Sequence, residues 1–387
     1  MKTRTKWWFS FGHSFILLAL SLMWLNTPYN YGDENFLIKW STVAKRLIFQ
    51  VDVDPPKDNF IFINLAYEKA LIPLEDQLGN EVITDREALA KLFSIQKRHP
   101  NAVKFTICDV FLKGKSKSDR LLAESISGIH NVVFPNQLDE NQSPLHLDVR
   151  APNAIADYSS ADEGFLKFEL IQTHNSKTIP VYMYEKLEKH NITQRYGLNW
   201  DNGRPSLNSI IIDYQIHTEE LFEQNEYPIV NLSELMLLPE DIIVKEFLQN
   251  RIVVMGDFDH DVHKTAFGIM PGTLILLNIY LSLKSGYHLI TFGWLLFMIF
   301  GFTFFSRIMI FGKQNSEIQD SKWLPKLLQT TVLLSIISIC SYFLFNISIQ
   351  VLFLAVYASL IIFIQKLVKE KTPIHKIRYW YDLISNN

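Results

Sequence analysis

The chain has 387 residues, of which 48% are hydrophobic and 20% charged, with a formal net charge of -3. These averages exclude a disordered chain, which combines low hydrophobicity with high net charge, and two cysteines exclude a small disulfide-built scaffold. The charge is unevenly spread: residues 1–26 and 289–387 together carry +8, and residues 27–288 carry -11.

The first element follows from that split. No charged side chain lies between Lys6 and Asp33, and Phe9–Leu25 is predominantly apolar, enough to cross a bilayer as one helix. Lys2, Arg4 and Lys6 precede it, which predicts a cytoplasmic N-terminus. No small-residue cleavage pattern stands before Asn26, so an uncleaved anchor is expected rather than a removed leader.

The acidic middle reads as alternating strands and helices. Phe60–Leu65 is a short apolar run of the kind buried on both faces of a sheet. Thr84 reads as an N-cap for a helix over Arg86–Arg98, stopped by Pro100. Val103–Cys108 is a second strand, Asp119–Ser127 a second helix and Asn131–Phe134 a third strand. The polar stretch Pro135–Glu163 carries no recognisable element. Beyond it come a strand at Phe165–Leu170, a helix at Pro180–Lys189, a strand at Ser209–Asp213, a helix at Glu240–Leu248, a strand at Arg251–Gly256 and a helix at Gly272–Lys284. Such alternation predicts an α/β domain whose mainly parallel sheet is flanked by helices.

Three further spans are expected. Leu289–Ser306 is apolar up to Arg307, and Leu327–Gln365 is free of charge, long enough for two helices turning near Asn346-Ile347-Ser348. With the first, that makes four transmembrane helices. Arg307, Lys313, Lys322 and Lys326 lie in one connection, and Lys366, Lys369, Lys371, Lys376 and Arg378 follow the last span, so both segments are expected on the cytoplasmic side. The resulting organisation is a cytoplasmic N-terminus and anchor (1–26), an exported domain (27–288), three spans (289–366) and a short basic, aromatic tail (367–387). The expected setting is a bacterial inner membrane, with residues 27–288 on its periplasmic or extracellular side.

Ligands of open α/β sheets bind beyond the carboxyl ends of the strands. The candidate ligand-binding residues are therefore Asn64 and Tyr67 after the first strand, Asp109 after the second, Asp213 after a later one, and Asp257, Asp259, His260, Asp261 and His263 after Arg251–Gly256. The last group resembles a calcium loop in its alternating aspartates but lacks the glycine at the sixth position and the closing glutamate. It reads either as a ligand or metal loop or as a turn whose aspartates bond backbone N–H groups. No G-x-S-x-G, H-E-x-x-H, C-x-x-C or phosphate-cradling glycine loop is present, so neither an enzyme nor a bound cofactor is expected. The acidic exported region argues against a nucleic-acid partner.

Several stretches together resemble the CHASE domain of the second type, a sensory extracytoplasmic domain followed by three spans. They are Phe60–Leu65, the helix Thr84–Ala90, Phe105–Phe111, Asp119–Ala123, and Leu248–Gly256 followed by Pro271-Gly272-Thr273, Asn278 and Leu281. The resemblance covers residues 36–290 and the order of the spans. It implies a sensory domain that signals through the spans to a cytoplasmic catalytic domain. Some twenty residues follow Lys366, too few for such a domain. The expectation is thus a sensory or binding protein acting through a separate protein partner in or at the bilayer, with a second copy of the chain among the candidates. A structural or assembly subunit of an envelope complex is the alternative.

Overall fold

The structure, a computed structural model, describes residues 3–27, 32–49, 55–73, 80–112, 114–141, 143–145, 149–156, 165–172, 175–195, 198–224, 226–265, 267–311 and 323–371. The tail beyond Lys371, the basic residues Lys313 and Lys322, and Lys2 lie outside them. The chain divides into two compact units. One comprises 1–25, 31–42 and 291–387, and the other 26–30 and 43–290.

The second unit is built on a six-stranded, wholly parallel sheet. Its strands are β1 (Phe60–Asn64), β2 (Val103–Cys108), β3 (Val132–Asn136), β4 (Asn153–Ile155), β5 (Ile229–Asn231) and β6 (Arg251–Gly256). Their spatial order is β5-β1-β6-β2-β3-β4. The longer helices of the chain are α1 (Thr3–Leu25), α2 (Gly32–Phe49), α3 (Arg86–Arg98), α4 (Asp119–Ile126) and α5 (Ile179–Glu188). They continue as α6 (Gly272–Lys284), α7 (Phe292–Phe311), α8 (Trp323–Phe345) and α9 (Val351–Lys371).

Strands β1, β3 and β6 are apolar nearly throughout because the sheet is covered on both faces. On one face Ile61, Ile63, Val253, Met255, Val132 and Phe134 pack with Leu89 and Phe93 of α3 and Leu122 and Ile126 of α4. On the other, Phe60 and Phe62 meet Tyr227, Phe105 meets Tyr182 on α5, and α6 lies against β6. Each fully buried side chain of this size contributes about 1.5–3 kcal/mol. Helix α6 is buried from Gly272 to Leu283, so its apolar sequence reflects a core position within the domain.

Several sequence expectations are corrected in detail. Asp85, not Thr84, caps α3: its carboxylate accepts from the N–H groups of Glu87 (2.8 Å) and Ala88 (3.3 Å). Thr84 instead ends an extended segment, Asn80–Thr84, paired antiparallel with Lys69–Pro73. The polar stretch after Pro135 contains strand β4 at the sheet edge. The strands at Lys167–Glu169 and Ser209–Ile211 pair antiparallel with each other and stand outside the main sheet. Glu240–Leu248 is α-helical only to Ile242 and π-helical from Ile243.

Among the described residues of the first unit, three helices are long and apolar enough to cross a membrane: α1, α7 and the Leu328–Phe345 part of α8. The apolar part of α9, Val351–Gln365, is shorter. The connection from α8 to α9 turns at Asn346, whose φ is 54°. One polar side chain had no counterpart in the sequence reading. His13 on α1 is buried, its Nδ1 3.0 Å from Ser306 Oγ of α7 and its Nε2 2.9 Å from the Tyr357 hydroxyl of α9.

Candidate functional site

Because every strand of the sheet runs the same way, all six carboxyl ends share one edge. Strand β6 is inserted between β1 and β2, so the segments that follow three strands distant in sequence converge there. They form two neighbouring groups of side chains.

The first group is an exposed turn. Asp257 Oδ1 accepts from the backbone N–H groups of Asp259 (3.2 Å) and His260 (2.9 Å), and the His260 ring Nδ1 lies 3.0 Å from it. Lys69 donates to Asp257 Oδ2 at 2.9 Å. Partial burial opposes ionisation of Asp257, but these hydrogen bonds outweigh it and hold the carboxyl below its ordinary range. Asn64 donates to Asp259 at 3.1 Å and accepts from the N–H groups of Ala66 and Phe258. The Asp259 carboxylate pushes the exposed Tyr67 phenol up. Asn64, Tyr67, Asp257, Asp259 and His260 are thus brought together, and their bonds are chiefly those that fix a strand-to-loop turn.

The second group lines a cleft of about 400 Å³, bounded by Asp109, Phe111, Pro135, Gln137, Ala156, Asp261, His263, Gly272 and Leu276. Asp109 follows β2, Gln137 follows β3 and Ala156 follows β4. Asp261 and His263 come from the segment after β6, which forms the hairpin Val262–Thr265/Gly268–Pro271 and leads into α6. Thr273 in the first turn of α6 donates its hydroxyl to Asp109 Oδ2 at 2.8 Å. His263 Nε2 is 3.1 Å from Asp261 Oδ1.

Charge is shared unequally in this cleft. Burial, reinforced by the charge of Asp261, raises the Asp109 carboxyl to about 6, against the opposing effects of Thr273 and His263. His263 is raised by its bond to Asp261. A carboxyl raised in this way by burial and a neighbouring charge, set in a cleft, marks a candidate functional site. The close approach of α6 depends on glycine. A Cβ on Gly272 would lie 2.9 Å from Asp261 Oδ2 and 3.2 Å from His263 Nε2.

Asp213 joins neither group. It lies by α6 near Ser282, whose hydroxyl accepts from its backbone N–H at 2.9 Å. Among the described residues no three His, Cys, Asp or Glu side chains are placed to hold a metal ion. A larger hollow, about 720 Å³, lies near β3 and β4. Its described ionisable side chains, His130 and Arg150, are exposed and engage no other described group, whereas the cleft sets interacting ionisable groups against one another. Gly272, Thr273 and Leu276 were not among the sequence candidates. Their only signal was the Pro271-Gly272-Thr273 helix start, and nothing local showed that this start returns to the strand ends.

No protein-family model, curated protein or solved structure matches the chain.

Proposed function

We propose that the chain is a membrane-anchored extracytoplasmic sensory or binding protein that receives a small ligand in the Asp109–Asp261–His263 cleft and acts through a separate protein partner. The observation that carries this reading is the cleft itself. It sits at the carboxyl edge of a parallel sheet, where ligands of such folds bind, and joins an apolar wall to a few polar groups, one of them a perturbed carboxyl. The resemblance to CHASE domains of the second type supports the same role, as does the order of anchor, domain and closing helices.

In this proposal α9 is a fourth span, residues 27–288 lie outside the cytoplasm of a bacterial inner membrane, and the basic flanks of the helices face inward. A ligand seated against the first turn of α6 would bias the packing of that helix. Seven residues, 285–291, join α6 to α7 in the chain, which gives the change a short covalent route.

Affinity isolation of the full chain from its native membranes tests the reading. A stoichiometric partner is expected, and its association should change when Ala156→Trp fills the cleft. Recovery of the chain alone would overturn the proposal. A partner indifferent to Ala156→Trp would replace it with a structural-subunit role.

A further inference from the structure

The chemistry of the cleft restricts what it can hold, an inference that rests on its being the binding site. Its wall is apolar at Phe111, Pro135 and Leu276, and among the described residues no Lys or Arg lines it. Asp109 uses Oδ2 to accept from Thr273, while Oδ1 has no hydrogen-bond donor among the described residues. Among the described residues Asp261 has one side-chain partner, His263, engaged through Oδ1; its Oδ2 points toward Gly272. Two carboxylate oxygens are therefore left to a ligand.

One imidazole cannot neutralise two carboxylates, so the cleft is net negative when both are ionised. The start of α6 could draw an anion, but the Asp109 and Asp261 carboxylates set beside it oppose one. The Gly272 N–H donates to the Asp261 carbonyl at 2.9 Å and the Thr273 hydroxyl to Asp109. A bare metal ion is disfavoured by the spacing of the donors, whereas a volume of about 400 Å³ is that of a small-molecule site.

We propose that the cleft binds a small organic ammonium ion, with its N–H groups donated to Asp109 Oδ1 and Asp261 Oδ2 and its carbon skeleton laid on Phe111, Pro135 and Leu276. The binding energy then comes from charge-assisted hydrogen bonds to a withdrawn carboxylate and from burial of the alkyl part.

The test is calorimetric titration of the full chain in lipid nanodiscs at pH 7.5 with butane-1,4-diamine, butane-1,4-diol and succinate, which share a four-carbon skeleton. The diamine is expected to bind and the other two not. Asp109→Asn, an isosteric change that keeps the contact with Thr273, should weaken diamine binding about tenfold or more. Diamine affinity unchanged in both Asp109→Asn and Asp261→Asn would overturn the assignment, as would tighter binding of succinate or the diol. In that second case, loss of binding in Ala156→Trp would show that the cleft is still a ligand site and that only the class was wrong. If none of the three binds, the ammonium assignment falls, and the cleft is judged by the partner isolation described above.

Discussion

At the scale of the residue, Asp109 shows how the fold sets its chemistry. The unfolded chain releases this proton near the ordinary value of about 3.9, whereas the folded protein holds it up to about 6. Between these values the native state binds more protons than the unfolded state, so stability falls as pH rises through the interval. Above it the full cost of an ionised, enclosed carboxylate remains; below pH 3.9 it vanishes. Asp109→Asn should therefore be more stable than the wild type at pH 7.5 by about 1–3 kcal/mol, with the gap closing at pH 3.5. Melting curves of the full chain at both values would show this, and an equal gap at both would refute it. Asp109, Asp261 and His263 were legible as candidates because each follows a strand that reads clearly in sequence. Asp213 stands apart from them because its strand, Ser209–Ile211, belongs to a small antiparallel pair, a distinction that residue types do not carry.

At the scale of the element, the contact of β6 with α6 is the tightest constraint around the cleft. A Cβ on Gly256 would lie 1.9 Å from Thr273 Oγ1 and 2.9 Å from its Cβ. Gly256→Ala should therefore displace Thr273, break its bond to Asp109 and destabilise the domain by about 1–3 kcal/mol. Thr273→Ala in the same chain should recover part of the loss, a coupling that chemical denaturation of the single and double variants would measure. Additive losses would show that the two residues do not meet. Elements differed in how plainly the sequence declared them. The strands β1, β2 and β6 and helix α3 are long, and their apolar spacing is set by burial, so they were readable. Strands β4 and β5 have three residues each, and the pairing of Lys69–Pro73 with Asn80–Thr84 leaves Leu71 and Val82 exposed. Such segments owe their form to neighbours rather than to their own pattern. His13 was overlooked for a different reason: one imidazole hardly changes the hydropathy of α1, yet in the packed unit it touches two other helices.

At the scale of the molecule, the number of spans fixes where the termini lie. Three crossings would put the N- and C-termini on opposite sides, and four on the same side. The Val351–Gln365 stretch falls short of the roughly 20 residues that span a bilayer upright, and Lys366 and Lys369 follow it. A basic flank of this kind is that of a span ending on the cytoplasmic side. A green fluorescent protein joined after Asn387 should therefore be fluorescent, and an alkaline phosphatase joined there inactive; the reverse result would remove α9 from the spans.

The order of strands in the sheet also sets an order in time. Both neighbours of β1, namely β5 and β6, are encoded long after it, from Ile229 and Arg251 onward. In chain order β2, α4 and β3 are complete before either neighbour of β1 exists, so β1 precedes both of its pairing edges. The centre of the domain can close only once β6 threads between strands already made, a slow, non-local step. Phe60–Asn64, apolar and without either neighbour until then, is a segment open to pairing with another chain.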